Sequence, residues 1–507
     1  MSGGFTVLDA FVLVAYLAGT TALGIWVGRR QTGSKDYFVA GRQIPWWAVL
    51  FSIVASETSA LTFISIPGLA YTSNLGFLQV VAGYILGRIG VAFLLLPRYY
   101  EGEIVTAYTL LEKRFGLATR RMTSIVFMVT RGMADAVRVF ATAIPVSLIL
   151  GDRVPREWAM PSAIVVLGVL TIIYTYRGGM RAVVWTEILQ ASVYLLGGLS
   201  AVVILGSVVP GGWDAILSRA GEAGKLTALD FSFDLSKPHT IWAGLIGGGF
   251  LSMASHGADQ LIVQRLLSSK NLREAQRAII GSGIVVFAQM TLFMFVGIGL
   301  WAHFNGQTFA TPDAIFPRFI VEQMPAGLVG LLLAAVIAAT MSTHSGAINS
   351  LAAATTHDIY MPLTGRTAED PVTFRAGRRF ALIWGVVLTG GALLFPEEQG
   401  TPVVVIALGI ASFTWGGLLG VFFLGNFWPR ARQRDAILGL SIGIFVMSFI
   451  VFAARISVWY PSMAAALGPF ARIAWPWYVL IGTSITMIVG IISSLLRPRS
   501  QSTGTSP

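Results

Sequence analysis

The stretch from Ala334 to Tyr360 begins as an apolar helix and becomes rich in hydroxyl side chains around Ser342, Thr343 and Ser345. On a helix, a serine or threonine leans back toward the carbonyl three or four residues earlier, so we expect Ser342 and Thr343 to converge on the Ala339 carbonyl. Neutral oxygens gathered inside hydrocarbon suit a small, hard cation. We interpret this cluster as a sodium site; the alternative is that each hydroxyl only satisfies its own backbone or joins a neighbouring helix.

A second polar interruption lies between Val54 and Leu61, where the chain reads Ser56-Glu57-Thr58-Ser59. These side chains compete for backbone hydrogen bonds. A lipid-facing helix would not carry such a carboxylate at this depth. The sequence therefore predicts a broken helix here, facing the protein interior.

Three charged residues share one helical face farther along, because Arg131, Asp135 and Arg138 are spaced by four and three. One interpretation is a carboxylate-binding site in which Asp135 orients an arginine. The alternative is a structural ladder of ion pairs, or an Arg131 that lies near the cytoplasmic end of its span.

The candidate buried charges give a further constraint on the solute. They are three positive and four negative groups, namely Arg88, Arg131 and Arg138 against Glu57, Asp135, Glu187 and Asp259. One sodium ion would balance that deficit. The count therefore favours a neutral or zwitterionic solute over a dianion.

Composition places the whole chain in a membrane. Of 507 residues, 55% are hydrophobic and only 12% are charged, against about 25% charged in soluble proteins. The net charge of +11 comes from short loops between apolar runs, so it indicates topology and not a nucleic-acid partner. The chain has no cysteine, which excludes disulfides, thiolate metal sites and cysteine nucleophiles.

The apolar runs predict an all-α polytopic protein with about 13 transmembrane helices. They lie at roughly 7–27, 45–71, 76–97, 121–150, 158–176, 182–208, 239–264, 278–302, 325–356, 380–396, 401–427, 436–454 and 473–496. With the N-terminus outside, 24 Lys and Arg fall on the cytoplasmic side and 8 outside. This bias predicts an outside N-terminus and a cytoplasmic C-terminus.

No soluble domain is expected. The longest loop, Val209 to Pro238, is too short for an independent core. We expect one transmembrane domain over 1–497 and a disordered cytoplasmic tail over 498–507. We further expect a monomer in the lipid bilayer of a bacterial inner membrane, with no nucleic-acid partner.

Several motifs resemble the sodium/solute symporter family, which includes sodium/glucose, proline, pantothenate and monocarboxylate cotransporters. They occur in chain order as Lys35-Asp36-Tyr37-Phe38-Val39-Ala40-Gly41-Arg42 with Pro45-Trp46-Trp47, Tyr174-Thr175-Tyr176-Arg177-Gly178-Gly179-Met180-Arg181-Ala182 with Trp185-Thr186-Glu187 and Gln190, Gly257-Ala258-Asp259-Gln260 with Val263-Gln264-Arg265, and Asp358-Ile359-Tyr360. The resemblance therefore covers residues 35–360. It favours sodium coupling over the purely structural interpretation of the hydroxyls.

The resemblance implies a fold like that of the leucine transporter, with two inverted five-helix repeats and flanking helices. The repeats would be segments 2–6 (about 45–208) and segments 7–11 (about 239–427). Such repeats place broken helices at the bilayer midplane. The sodium ligands that it implies are the carbonyls of Ala55, Thr58 and Ala339 and the hydroxyls of Ser342 and Thr343.

The resemblance also implies where solute binds. The implied contacts are Ser59, Thr62 and Asp259, with Gln79 as a weaker candidate. Glu57, at the break, and Arg131 and Arg138, from their spacing, are further candidates. Glu57, Leu61 and Thr62 differ from the pattern of the sugar-transporting branch. We therefore expect a sodium-coupled importer of an organic acid, amino acid or vitamin-like solute that works by alternating access. The alternatives are a sugar transporter of the same family and a cation channel on the same scaffold.

Two further expectations concern chemistry and ion count. No GxSxG or HEXXH arrangement occurs, so we do not expect an enzyme, and sodium is the only metal or cofactor expected. Relatives with an additional cation or proton site use an aspartate at the position of Glu187 and hydroxyls at those of Ser342, Ser345 and Gly346. Because the last hydroxyl is missing here, we predict one sodium per solute, with Glu187 structural or linked to a proton.

Overall fold

The computed structural model describes residues 5–27, 42–58, 60–101, 104, 106–150, 155–394 and 403–497. Throughout these ranges the regular structure is helical, and the only β-type pairing is one isolated bridge between Ile44 and Ser269. Helices are the expected outcome because every backbone group in a bilayer needs an internal partner. The all-α fold predicted from the sequence is confirmed.

The first half of the chain supplies helices α1 to α8. Their bounds are α1 Val7–Val27, α2 Trp46–Glu57, α3 Ala60–Thr72, α4 Leu78–Gly90, α5 Leu96–Tyr99, α6 Tyr108–Phe115, α7 Leu117–Leu150 and α8 Arg156–Val208.

The second half supplies the remaining helices. Their bounds are α9 Gly212–Glu222, α10 Gly249–Gly257, α11 Gln260–Leu266, α12 Leu272–His303, α13 Ile315–Gln323, α14 Leu328–Ala354, α15 Met361–Thr364, α16 Pro371–Leu393, α17 Val403–Phe427, α18 Gln433–Trp459, α19 Ala464–Ala471 and α20 Trp477–Leu495.

Within the described residues, seven helices are long and apolar enough to cross a membrane, or eight if a bent pair counts as one span. Shorter apolar helices at Glu157–Ile173 and Thr414–Phe427 also contribute. The polytopic architecture is therefore present. The count of thirteen and the inverted repeats stay predictions.

Helix α8 differs from the sequence prediction. We expected a connection at 177–181 between two spans, but the helix runs without a break from Arg156 to Val208. A straight helix of that length would measure about 80 Å, against a hydrocarbon core of about 30 Å. Its apolar parts fall on either side of the expected connection, at Glu157–Ile173 and Met180–Val208. A short polar connection without proline can keep helical hydrogen bonding, which hydropathy alone does not register.

A glycine-rich segment lets α4 lie directly against the start of the seventh predicted span. This segment forms a π-helical turn, Ala243–Gly248, that continues into α10. A Cβ added at Gly248 would lie 2.6 Å from the Val80 carbonyl oxygen, and one added at Gly83 would lie 2.0 Å from that of Gly244. A side chain at either position would hold the two backbones apart, so these glycines permit the close packing.

Helix α1, which precedes the predicted repeats, is joined to the N-terminal end of α14. The Asp9 carboxylate accepts hydrogen bonds from the backbone N–H groups of Gly327 at 2.7 Å and Gly330 at 2.8 Å. A carboxylate at a helix N-terminus satisfies free N–H groups and interacts favourably with the helix dipole.

Helix α14 occupies the middle of the molecule. It packs against α1, α2, α3, α7, α8 and α16, and its residues from Leu332 to Ala354 are buried wherever their side chains are described. Whatever binds at its hydroxyl-rich turn is therefore enclosed by both halves of the chain.

Candidate ion and solute site

The predicted break in the second span is present. Helix α2 ends at Glu57 and α3 begins at Ala60, and the axes of the two halves differ by 56°. Thr58 caps α2 with a non-helical backbone (φ −87°, ψ 67°), and its N–H donates to the Val54 carbonyl at 2.8 Å. Ser59 lies outside the described residues, so its predicted solute contact stays a prediction.

Helix α14 brings its hydroxyl-rich turn to this break, since it packs against both α2 and α3. The Thr343 hydroxyl donates to the Ala339 carbonyl oxygen at 3.0 Å, as the spacing predicts. Both residues are buried, as are Ala55 and Thr58 on the broken helix. The side chain of Ser342 lies outside the described part of the chain. The five-ligand sodium assignment therefore stays a prediction.

Thr58 has an additional partner that the sequence did not suggest. Its hydroxyl donates to the Gln289 side-chain oxygen on α12 at 3.1 Å. The Gln289 side-chain nitrogen has no hydrogen-bond partner although it is buried. The hydroxyl at the helix break is thus held by the amide of another helix.

A second helix break lies opposite the first, between α10 and α11. Asp259 caps α11 by accepting a hydrogen bond from the Leu261 N–H at 2.8 Å, and its other oxygen lies 3.8 Å from Nη1 of Arg131. Asp259, predicted to contact solute, therefore has a structural role as a helix cap. Its remaining oxygen connects the second break to α7.

One face of α7 carries the residues Arg131, Asp135, Arg138 and Thr142, and we call it the α7 face. Asp135 hydrogen-bonds His344 Nδ1 on α14. Arg131 leaves Nε and Nη2 without a hydrogen-bond partner, and Arg138 leaves Nε and Nη1 without one. Buried N–H groups are rarely left unpaired, so these positions point to a missing acceptor.

Glu57, the last residue of α2, belongs to a different ionic cluster. Its carboxylate pairs with Arg88 of α4, and His256 Nε2 of α10 lies 3.4 Å from the same oxygen. Arg88 also donates to the Ser282 hydroxyl at 2.8 Å. The carboxylate at the break is thus neutralised by protein groups.

Two other predicted solute contacts are engaged within the protein. The amide of Gln79 donates to the His239 carbonyl at 2.8 Å and accepts from the Asp230 N–H at 3.0 Å. It therefore fastens the loop that precedes α10. The Thr62 hydroxyl donates to the Glu57 carbonyl at 3.4 Å.

The second candidate cation site holds a protein cation. We call Glu187, Arg265, Ser52 and Ser56 the Glu187 cluster. Arg265 Nη2 lies 2.6 Å from Glu187 Oε1, Ser56 donates to the same oxygen at 3.1 Å, and Ser52 hydrogen-bonds the other oxygen. The Arg265 Nη2 atom also lies 3.0 Å from where a Cβ on Gly346 would stand. Ser345, also predicted here, is fully buried.

The sequence-based charge count omitted Arg265, which the structure places among the counted groups. It treated Arg265 as part of a cytoplasmic connection, but the break before α11 carries this arginine inward, and it is 1% exposed. Four positive groups now face four negative ones: Arg88, Arg131, Arg138 and Arg265 against Glu57, Asp135, Glu187 and Asp259. The charges of these eight groups sum to zero before any ion binds, so the reasoning that favoured a neutral solute no longer holds.

Sequence reasoning also missed His344. The sequence suggested no role for this residue, whereas the structure places it against Asp135. Its position one residue after Thr343, on the same stretch as the hydroxyls, was the available signal.

Comparison with known proteins agrees with this geometry. The model of the sodium:solute symporter family matches residues 37–443. The chain is 31% identical to the sodium/sialic acid symporter NanT of Aliivibrio fischeri, over 97% of this chain and 93% of that protein. It is 29% identical to sodium-coupled monocarboxylate transporter 2 of Bos taurus, over 92% of this chain and 75% of that one.

A solved structure is also similar. It shows a Na⁺-coupled sialic acid symporter in a substrate-bound, outward-open state, with a TM-score of 0.84, 27% identity, and coverage of 97% of this chain and 99% of that one. These relatives are transporters and not enzymes, and sodium is their coupling ion. The chain therefore belongs to the sodium:solute symporter family and is a multi-pass membrane protein that couples the movement of a small organic solute to sodium.

Proposed function

We propose that this symporter imports an organic monoanion with one sodium ion, and that Arg131 and Arg138 bind the carboxylate of the solute. The observation that carries the proposal is the set of unpaired guanidinium N–H groups on the α7 face. A carboxylate presents two acceptor oxygens that match the fork of an arginine. A solute carboxylate would accept hydrogen bonds from these N–H groups. Without it they stay buried and unpaired, which costs desolvation free energy.

Charge balance supports the same class of solute. The eight charged groups of the three ionic clusters sum to zero, so sodium alone would add one uncompensated positive charge among them. A single carboxylate removes that charge. The solutes named for two relatives are sialic acid and monocarboxylates. Both carry a carboxylate, which supports the expectation of an organic acid.

Sodium is assigned to the carbonyls of Ala55, Thr58 and Ala339 and the hydroxyls of Ser342 and Thr343. The burial of the described ligands and the Thr343 contact with Ala339 support this assignment. All five ligands are neutral. A site without a carboxylate ligand suits a transporter that must release its ion into a cytoplasm of low sodium.

We assign no second sodium to this chain. The similar solved structure reveals a novel Na⁺ site in that protein. Here Arg265 lies against Glu187 and beside Gly346. Its guanidinium supplies a fixed positive charge where the sequence suggested a second ion, and Glu187 is then a structural partner.

Import would proceed by alternating access in a bacterial inner membrane, by a monomer with its N-terminus outside and its C-terminus in the cytoplasm. Contacts between loops support the alternation of spans on which this orientation rests. Gln79, at the outer end of the predicted span 76–97, accepts from the Asp230 N–H in the loop predicted outside. Arg114 donates to the Trp428 carbonyl at 3.1 Å, and both residues are predicted inside.

The test of function is uptake into proteoliposomes under an imposed inward sodium gradient. The panel contains sialic acid, lactate, proline, a vitamin carboxylate and galactose. We expect saturable uptake of a monoanion in the presence of sodium, and no such uptake when choline replaces sodium. Uptake of galactose alone, or a flux of sodium that does not saturate, would contradict the proposal and favour the sugar transporter or the channel.

Orientation has a separate test because the chain has no cysteine. A cysteine at Ala223, which is exposed, should react with an impermeant thiol reagent in intact cells, and one at Ser34 should not. The reverse pattern would overturn the orientation.

A further inference from the structure

Helix α7 contacts the ion-binding helix at two points on the same face that carries the arginines. The residues Arg131, Asp135, Arg138 and Thr142 follow one another at spacings of four, three and four, so they form a single stripe. Asp135 hydrogen-bonds His344, and Thr142 hydrogen-bonds Thr340, both on α14. The two connecting residues therefore alternate with the two arginines.

The threonine contact has a defined direction. The Thr142 hydroxyl donates its single proton to the Arg138 carbonyl at 3.0 Å, so Thr340 must donate to Thr142. A chain of hydrogen bonds thus runs from α14 to the backbone of Arg138. Both threonines are buried, where such a contact is not exchanged for water.

On α14 each of the two contact residues is adjacent in sequence to an assigned sodium ligand of the turn from Ala339 to Thr343. Thr340 follows Ala339 directly, and His344 follows Thr343 directly. Since each residue turns the helix by about 100°, the pair 340 and 344 forms a stripe beside the pair 339 and 343. The contacts to α7 thus set the rotation of the turn whose carbonyl and hydroxyl are assigned to sodium.

We propose that Asp135, Thr142, Thr340 and His344 are positioning residues that couple the solute site to the sodium site. They hold α7 and α14 in one arrangement, so that sodium bound on α14 orders the arginines of α7, and solute bound on α7 orders the sodium turn. Such coupling is reciprocal by thermodynamic necessity. The inference rests on the proposed function, because it takes the sodium ligands and the carboxylate-binding arginines from it.

Hydrogen–deuterium exchange on the purified full-length protein tests this with sodium alone as the probe, against choline at equal ionic strength. Amides that exchange only when a local opening releases the ion should exchange up to about 100-fold more slowly, when sodium is present at about 100 times its dissociation constant. In the native protein we expect slowing in peptides from α14 and also from α7. In the Thr142→Val/Thr340→Val double variant, slowing should persist in α14 and fall below about 3-fold in α7.

The chain supplies a matched control on the same helix. Thr130 on α7 donates to the Val126 carbonyl at 2.7 Å and contacts the Thr414 hydroxyl of α17 at 2.5 Å. The Thr130→Val/Thr414→Val variant removes an equivalent buried threonine pair that does not involve α14. Its α7 should respond to sodium as in the native protein.

The second contact gives an independent pair of variants. Asp135→Asn keeps an oxygen for His344 and should retain most of the α7 response, whereas Asp135→Leu should lose it. Equal α7 responses in the native protein and in the threonine double variant would overturn the proposal, as would a native α7 that does not respond while α14 does. If native α14 itself ignores sodium, the sodium assignment of the proposed function fails first, and this inference fails with it.

Discussion

Two buried ionic regions flank α14, and they differ in how fully their hydrogen bonds are made. In the Glu187 cluster, both carboxylate oxygens accept from protein donors, and Arg265 donates from Nε to Ser52 at 3.1 Å and from Nη1 to the Leu261 carbonyl at 2.8 Å. On the α7 face, two guanidinium nitrogens of each arginine have no hydrogen-bond partner, and neither does one carboxylate oxygen of Asp135.

This difference is the physical reason for proposing different roles for two regions that are both buried and charged. A fully satisfied network gains nothing from an incoming ligand and loses much when a member is removed. An incompletely satisfied one has free energy to gain from a ligand that completes it. Burial and charge alone, which the two regions share, would not distinguish them.

The largest expected effect concerns the satisfied region. Glu187→Gln should lower the free energy of unfolding by about 3–5 kcal/mol, because Arg265 stays buried without its counter-ion. Thermal unfolding in detergent measures this. A Glu187→Gln/Arg265→Gln double variant should recover part of the loss, since it removes the unpaired charge.

The same variant tests the ion count. Reversal potentials in proteoliposomes should give one sodium per solute in the native protein, and the ratio should not change in Glu187→Gln. A native coupling of two sodium ions that falls to one in the variant would show that the Glu187 cluster binds an ion and that the comparison drawn above is mistaken.

The next effect concerns the incomplete region. Arg131→Lys and Arg138→Lys keep the charge but remove the fork, and each should lower solute uptake at subsaturating concentration by at least about 30-fold, the lower end of what a buried charged contact contributes. Thermal unfolding should stay near that of the native protein. Arg318→Lys, at an exposed pair with Glu322, is the matched control and should leave uptake unchanged.

The smallest effect concerns the turn of α14 from Ala339 to Thr343, which is proposed to bind sodium and lies between the two regions. Thr343→Ala and Ser342→Ala should each raise the sodium concentration for half-maximal uptake by about 10-fold, as expected for one hydroxyl lost from a cation. Ser350→Ala, which removes a buried hydroxyl bonded to the Ala347 carbonyl on the same helix, should not. Equal shifts in all three variants would indicate a general weakening of α14 and not loss of ligands.

Local chemistry determined which features could be predicted from the sequence. The break at Glu57 to Ala60 was predictable because consecutive polar residues cannot continue a lipid-facing helix. The Thr343 contact with Ala339 follows from helix geometry alone. The spacing on α7 predicted one face but not which of its groups would be satisfied, because their partners lie hundreds of residues away.

Arg265 shows where sequence reasoning fails. A hydropathy profile places an arginine at the end of an apolar run in the adjacent loop, but the cap at Asp259 starts a new helix that turns this side chain inward. The loop predicted at 177–181 is a second error, because a short polar connection can remain helical. Both errors arise from tertiary context that overrides a local signal.

The cap that Asp9 places on α14 has a consequence for assembly. Its two partners lie 318 and 321 positions away along the chain, so the contact cannot form until most of the protein has been synthesised and inserted. Until then the Asp9 carboxylate has only the local donors of Thr6, its backbone N–H and its hydroxyl. Contacts at such separation form late because they must overcome the loop entropy of everything between them. We therefore expect the hydrogen bonds from Gly327 and Gly330 to Asp9 to form late in folding. Cleavage by a protease near Asp9 would then distinguish unassembled from assembled chains.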